Sequence, residues 1–426
     1  MIKKLFQKYF SGTFFLNAPL VINTVVALVA FPIILTNLPI VAYGKWQFVL
    51  ALQSWVLAIS GSHITLASKK GIAQGLDGTF FYAFLARLKL LIPLSFIILV
   101  VAFYLKSLEY PIFSILLVII GSYLIFGYLF QNSFYEFLVA KKRFKERCFW
   151  QILIPLISIA GSALVAYLTK NIIYFAISQL GSTTILSWVA ILLLLKKERI
   201  IESYRRGEID KGCVPYGLKL IPANLVYVTA YDISHFIIGA FFGFAYLAIF
   251  SVANKLKEKF ASITKNFYPL IYADFAKREK DELIKMIKFH LIKIGSFGII
   301  LVSVFIFTGW FYITFFLPKG YQQATIYLAI LALGLIPGVL TVVLHTILES
   351  HFCYKELTVI NIIPSLLRIV LILIFGYLWR IIGICFALAI TNWITFGFYY
   401  LLTIEEKYVT KYIEGHHFIK HLAKRY

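Results

Sequence analysis

The chain has 426 residues, of which 61% are hydrophobic and 14% charged, and its mean hydropathy is +0.86. These values are far from those of a soluble domain and predict a membrane protein. A net charge of +22 would suggest nucleic acid as the partner of a soluble protein. Here most basic residues flank apolar stretches, where membrane topology and anionic headgroups account for them, so we expect no nucleic-acid partner.

Twelve apolar stretches are long enough, or nearly so, to cross a bilayer as helices. A hydrocarbon core of about 30 Å requires about 20 residues at a rise of 1.5 Å per residue. Long unbroken runs lack the alternation of barrel strands, so the predicted fold class is an all-α integral membrane protein. The stretches are 14–35, 46–66, 88–105, 111–139, 148–168, 172–195, 214–239, 243–270, 289–316, 324–348, 357–378 and 381–402.

Basic residues alternate between the gaps that separate these stretches. Counted with Lys89, Lys265 and Lys293 near the adjoining span ends, the N-terminus, every second gap and the C-terminal tail hold 31 of them. The opposite loops at 106–110, 169–171, 317–323 and 379–380 hold 4. Lysine and arginine in short loops stay cytoplasmic during insertion, so both termini are predicted to be cytoplasmic, which requires an even number of spans. Arg87 counts among the 31 and is therefore assigned to a cytoplasmic gap.

The longest polar linker divides the twelve predicted spans into two sets of six. Weak internal similarity at an offset of 203 residues, such as Pro19 with Pro222, fits a parallel repeat. The predicted organisation is an N-terminal six-helix lobe, a cytoplasmic linker, a C-terminal six-helix lobe and a cytoplasmic tail, at 1–196, 197–212, 213–404 and 405–426.

The loops predicted outside the membrane are very short, as at 106–110 and 169–171. They leave no room for the external catalytic loop that membrane polymerases and ligases need. The sequence also has no P-loop, HExxH motif or nucleophile elbow. A transporter is therefore favoured over an enzyme, with no catalytic residue, metal site or cofactor, and a membrane glycan polymerase is the less favoured alternative.

Ionisable residues at membrane depth are the candidate site. A charge at mid-bilayer costs about 2.5–3.5 kcal/mol on insertion scales, so such a residue usually faces a cavity or a partner. Arg368 lies halfway through span eleven, and Lys255 and Lys259 lie one turn apart in span eight. Because cationic side chains bind phosphate, these three predict an anionic ligand.

Span seven supplies the remaining candidates. Lys219, Asn224 and Tyr227 are predicted to contact substrate, and Asp232 with His235, three residues on, is the candidate for coupling. Asp232 and Lys255 are predicted at similar depths, so a static ion pair between neighbouring helices is an equally open interpretation of Asp232.

Several segments resemble Wzx-type polysaccharide-export flippases of the multidrug/oligosaccharidyl-lipid/polysaccharide (MOP) superfamily. They are 31–35 (FPIIL), 42–44 (AYG), 231–239 (YDISHFIIG), 249–256 (IFSVANKL) and 320–340. The resemblance implies two six-helix lobes around a central cavity and alternating access. Spans one to three show few basic residues at mid-depth, which argues against a lipid II-type flippase.

The implied function is to flip undecaprenyl-pyrophosphate-linked oligosaccharide across the bacterial inner membrane for O-antigen or capsule assembly. A proton or sodium gradient is the candidate driving force, and a polysaccharide polymerase and a chain-length regulator are candidate partners. A multidrug or small-metabolite antiporter of the same superfamily is the alternative, and it would prefer acidic cavity residues for its cations.

Overall fold

The structure is a computed structural model that describes residues 2–265, 280–350 and 354–404. Within these ranges the chain is helical with short turns and contains no strand. The helices are α1 (Ile2–Asn37), α2 (Ile40–Ile59), α3 (Ser62–Ala73), α4 (Gly78–Ser107), α5 (Pro111–Tyr123), α6 (Leu129–Ala140), α7 (Phe144–Thr169), α8 (Ile172–Lys197), α9 (Ile200–Arg205), α10 (Cys213–Lys219), α11 (Ile221–Ile237), α12 (Phe244–Lys265), α13 (Lys280–Phe316), α14 (Ala324–Leu333), α15 (Leu335–Ser350) and α16 (Tyr354–Ile404).

Nine of the described helical segments are long and apolar enough to cross a membrane, and a tenth is the bent pair α2–α3. The last of the nine runs from Ile362 to Thr403 and contains a kink at Trp379 and Arg380, so it comprises two predicted spans. Helix α12 is not among the nine and carries four charged residues at 255 and 257–259. If the bent pair counts as one span, the kinked segment as two and α12 as one, the described helices are consistent with the predicted twelve spans.

The helices present much of their apolar surface outward. Between 17% and 50% of the residues in the most apolar part of each span are buried inside the protein. Large outward side chains such as Phe103, Phe241 and Tyr377 are 70–89% exposed. Apolar surface on this scale requires a lipid environment, so the chain is a multi-pass membrane protein.

Several predicted spans are bent or begin elsewhere than expected. Span two consists of α2 and α3, which meet at 49° where Gly61 adopts a positive φ of 71°. Span ten is interrupted at Gly334, between α14 and α15. Helix α4 begins at Gly78, ten residues before the predicted span three.

Two spans contain a single turn of π-helix. Leu124–Tyr128 joins α5 to α6, and Ile238–Phe242 joins α11 to α12 through Gly243. A π-turn inserts an extra residue into the helix and is found frequently at functional sites.

The residues form two compact units, Met1–Ala248 and Ile249–Tyr426. The predicted lobe boundary at 197–212 remains a prediction. The predicted tail at 405–426 and the end of predicted span eight, 266–270, lie outside the described residues.

The linker is packed against the first unit. The Gly78 amide donates to Ser203 Oγ (2.9 Å), and the Asp210 amide donates to Thr79 Oγ1 (2.8 Å). A Cβ on Gly78 would lie 2.7 Å from the Tyr204 backbone, so only glycine permits this approach. Helix α10 continues the contact by packing against α3.

Candidate functional site

The candidate site in the second unit is centred on Arg368 of α16. Its side chain is buried, with 7% of its surface exposed. Arg368 Nη2 donates a hydrogen bond to Asn392 Oδ1 at 2.9 Å, and Asn392 Nδ2 donates to the Gly334 carbonyl at 3.1 Å. The Asn392 amide therefore connects a buried guanidinium to the break between α14 and α15.

The fold-back of α16 brings Arg368 and Asn392 together. The backbone reverses at Arg380, whose φ of 53° lies in the left-handed region, and Arg368 and Asn392 stand at equal sequence distance on either side. A Cβ on Gly383 would lie 1.9 Å from the Phe375 carbonyl oxygen, so glycine permits the two arms to approach closely. The predicted outer turn at Trp379-Arg380 thus positions the site.

Gly334 is the third member of this chain of contacts. A Cβ there would lie 2.8 Å from Asn392 Nδ2 and 3.0 Å from the Ala389 Cα. The lack of a side chain therefore lets the second arm of α16 pack directly on the α14–α15 break, which places the Gly334 carbonyl within reach of Asn392.

Helix α12 carries the other predicted cationic residues of this unit. Lys255 and Lys259 are half-buried and one turn apart, and the Glu258 carboxylate attracts both electrostatically. Asn254 Nδ2 donates to Glu258 Oε1 at 2.8 Å. Two lysines and one glutamate thus lie within about one turn of α12.

The candidates on α10 and α11 belong to the first unit. Lys219 is exposed at the end of α10, and Asn224 Nδ2 donates to the Ala58 carbonyl of α2 at 3.3 Å. The Tyr227 ring lies 4.7 Å from the Tyr231 ring, centroid to centroid, and both side chains are more than one-third exposed. Such paired rings are suited to contacts with sugars or lipids.

Asp232 and His235 are half-buried on α11 of the first unit. Lys255 belongs to the second unit. The Asp232–Lys255 ion pair and the coupling role of Asp232 therefore both remain predictions.

Sequence reasoning missed Arg87. It is not among the predicted site residues, but it lies inside α4 with none of its surface exposed. Its assignment to the cytoplasmic side and the scarcity of basic residues at mid-depth in spans one to three stay predictions. The apolar residues on both sides of Arg87, from Phe80 to Leu94, were the available signal that the helix begins earlier.

The described side chains at these positions are mainly hydrogen-bond donors, which suit the binding of an anion. No group of three or more His, Cys, Asp or Glu that could hold a metal occurs within residues 2–265, 280–350 and 354–404.

Comparison with known proteins identifies a family. The family model described as "polysaccharide biosynthesis protein" matches residues 77–297, just over half of the chain. No curated protein sequence matches the chain.

Three solved structures of transporters are similar to this chain. An inward-facing multidrug resistance MATE family transporter of the MOP superfamily has a TM-score of 0.70 at 12% identity, covering 91% of this chain and 95% of that one. The outward-facing form of such a transporter has a TM-score of 0.62 at 13% identity, covering 94% and 96%. A MOP superfamily transporter from Pyrococcus furiosus, whose binding pocket is described as reversed in polarity, has a TM-score of 0.66 at 14% identity, covering 93% and 95%.

Proposed function

The chain belongs to the polysaccharide biosynthesis protein family and has the fold of MOP-superfamily exporters, and on this premise we propose that it flips lipid-linked oligosaccharides. The substrate is an oligosaccharide repeat unit on undecaprenyl pyrophosphate. It is moved by alternating access across a bacterial inner membrane for the assembly of O-antigen or capsule.

The buried Arg368 carries the proposal. A guanidinium inside an apolar span costs several kcal/mol unless something compensates its charge. The Asn392 amide accepts a hydrogen bond from Arg368 Nη2 and so orients the guanidinium. A pyrophosphate is the complementary group, because arginine binds phosphate oxygens through parallel N–H bonds.

The basic face of α12 supports the same ligand. Lys255 and Lys259 supply two ammonium groups against the single carboxylate of Glu258. Lysine binds phosphate as a point charge without fixed geometry, so these residues attract a headgroup while Arg368 fixes its orientation. Lys219 and Asn224, which lie in the first unit, stay predicted substrate contacts.

The aromatic pair Tyr227–Tyr231 would contact the sugars or the lipid, since both rings present exposed faces. Asp232 with His235 would couple transport to a proton or sodium gradient. Both termini would be cytoplasmic. The exported repeat units would reach a polymerase and a chain-length regulator at the outer face.

The alternative substrate, a cationic drug or small metabolite, has the MATE likeness in its favour. A cation would require acidic residues in the site, whereas Arg368, Lys255 and Lys259 are all basic. The anionic substrate is therefore preferred.

Complementation of a flippase-deficient strain tests the proposal. The wild-type chain should restore surface polysaccharide, and Arg368→Ala should not. Lys319→Ala is the control, because Lys319 is an exposed basic residue of the same unit away from Arg368 in the chain. Full export by Arg368→Ala at normal protein abundance would remove the main support for an anionic headgroup at this site.

A further inference from the structure

We propose that the first unit contains a binding site for a phosphate-type oxyanion, formed by Arg87, Lys69 and Arg147 between α3, α4, α6 and α7. The inference is independent of the proposed function, because these residues lie in the first unit, whereas Arg368 lies in the second. Inorganic phosphate can occupy the site whatever the transported substrate is.

Both hydrogen bonds of the Arg87 side chain come from one nitrogen atom, Nη1. Its Nη1 donates to Thr65 Oγ1 at 2.7 Å and to Asn132 Oδ1 at 2.8 Å. Among the residues that the structure describes, no hydrogen-bond partner meets Nε or Nη2, although both atoms are fully buried. Tyr128 is the neighbouring side chain: its ring centroid lies 5.7 Å from the guanidinium carbon, and its hydroxyl group interacts with Arg87.

The two remaining nitrogens form the binding edge of the guanidinium. Nε–H and one N–H of Nη2 are parallel, and this edge accepts two oxygens of a carboxylate or phosphate at once. Leaving a buried donor unmet is unfavourable, and more so when the donor is charged. Thr65 and Asn132 thus orient the edge, and an oxyanion satisfies it.

Two further charged residues lie one helical turn from the side chains that bind Arg87 Nη1. Thr65 and Asn132 are each followed four residues later by a charged residue, Lys69 on α3 and Glu136 on α6. Lys69 Nζ and Glu136 Oε2 form an ion pair at 2.6 Å. Their side chains are 28% and 20% exposed, so this pair lies between Arg87 and solvent.

Positive charge is in excess in this cluster. Glu136 attracts Arg87 and Arg147 electrostatically in addition to its ion pair with Lys69. Arg147 Nε is a further buried donor without a hydrogen-bond partner within the described part of the chain. Three cations therefore share one carboxylate, and a bound oxyanion would supply the missing negative charge.

A π-turn lies close to Arg87. Tyr128 is the last residue of the π-turn Leu124–Tyr128, and Asn132 follows one turn later. Arg87 lies nine residues into α4, which is about 13 Å from the start of the helix. The Lys69–Glu136 pair is the part of this cluster that is partly exposed.

We assign the oxyanion to the phosphate class for two reasons. The Arg87 edge has two parallel N–H groups, and Arg87, Arg147 and Lys69 together exceed the charge of Glu136 by two. The oxyanion could be free phosphate or the phosphate of a lipid. Two arms of one experiment distinguish these sources, because a lipid phosphate is presented only in a bilayer.

Thermal unfolding of the purified full-length protein tests the site. In detergent, sodium phosphate should produce a saturable rise in Tm of at least about 2 °C, since a ligand that binds only the folded state stabilises it. Sodium chloride at equal ionic strength should not. Arg87→Gln should abolish the response, and Arg87→Lys, which keeps the charge and lacks the parallel edge, should weaken the apparent affinity at least about tenfold.

Lys141→Gln is the matched control. Lys141 is a basic residue of the same unit that forms an ion pair with Asp77 at 2.5 Å, and its variant should keep the phosphate response. If the Arg87 variants do not fold, Arg147→Gln decides, and it should lower the apparent phosphate affinity. In phosphatidylcholine nanodiscs, added dioleoylphosphatidic acid should remove the response if a lipid phosphate occupies the site, and should leave it intact if the ligand is a free ion.

The outcomes separate the site from the proposed function, which is scored by polysaccharide export. An equal Tm rise with chloride and phosphate, or an unchanged phosphate response in both Arg87→Gln and Arg147→Gln, would overturn the site. A wild-type protein without any phosphate response would do the same and would mean that water or a moved Glu136 satisfies the Arg87 edge.

Discussion

Arg368 Nη2 and Asn392 Oδ1 lie 2.9 Å apart although 24 residues separate them in the chain. They meet because the backbone reverses at Trp379 and Arg380, so that residues at equal distance from the turn lie side by side. Asn392 in turn donates to the Gly334 carbonyl. One neutral amide thus orients a buried cation and fixes the packing of three helical segments.

Replacing Asn392 with Ala should remove the hydrogen bond that orients the Arg368 guanidinium and should keep its positive charge. Hydrogen bonds to charged groups contribute about 1.5–3 kcal/mol, so we expect lower thermal stability and reduced export. Asn392→Asp restores an acceptor for Arg368 and neutralises its charge but cannot donate to the Gly334 carbonyl, so it should recover stability only in part and should not restore export. Export and Tm measured for both variants check this, and equal recovery of both properties by Asn392→Asp would contradict a need for positive charge.

Gly334→Ala should destabilise the second unit by about 1–3 kcal/mol, because the new Cβ would meet Asn392 Nδ2 at 2.8 Å and the Ala389 backbone at 3.0 Å. Gly338→Ala is the control on α15, where a Cβ meets nothing within 4 Å. It should be neutral or stabilise by up to about 1 kcal/mol through helix propensity. Thermal unfolding of both variants measures the difference, and equal effects would show that the close packing is unimportant.

Arg368→Ala or Lys255→Ala should abolish polysaccharide export without lowering membrane abundance, because each is proposed to meet phosphate. The measurement is complementation of a flippase-deficient strain with protein levels determined in parallel. Full export by both single variants would leave the cationic site without its main residues.

Asp232→Asn should distinguish coupling from a static ion pair. With a coupling role, we expect normal abundance, weak export and a transport rate that no longer responds to external pH. With an ion pair to Lys255, abundance should fall, because an unpaired buried charge costs about 3–5 kcal/mol, and the further change Lys255→Ala should restore it. Wild-type export with an unchanged pH response would exclude both roles.

Reporter fusions test the predicted topology. Fusions at Lys411 and within residues 196–212 should be active only as cytoplasmic reporters, because 31 basic residues lie on that side and 4 on the other. Activity of an external reporter at either position would contradict the assignment.

The sequence by itself determined the class of the protein. Long apolar stretches require helices in lipid, whatever their neighbours, and this prediction of an all-α MOP-type membrane protein is confirmed by the helices and by the fold of the similar transporters. The reversal at Trp379-Arg380 was also predictable, since a short polar break between two apolar runs allows little else.

Tertiary structure decided which polar residues are buried together. Arg368 was found from its depth in an apolar run, but its partner Asn392 was not, because Asn is common in helices and nothing local indicates what it faces. Arg87 was not predicted as a site residue, because charge counts assign a residue to a side of the membrane and not to a neighbour. Its contacts with Thr65 and Asn132 come from helices far apart in the chain, so only the packing of α3, α4 and α6 brings them within hydrogen-bond distance.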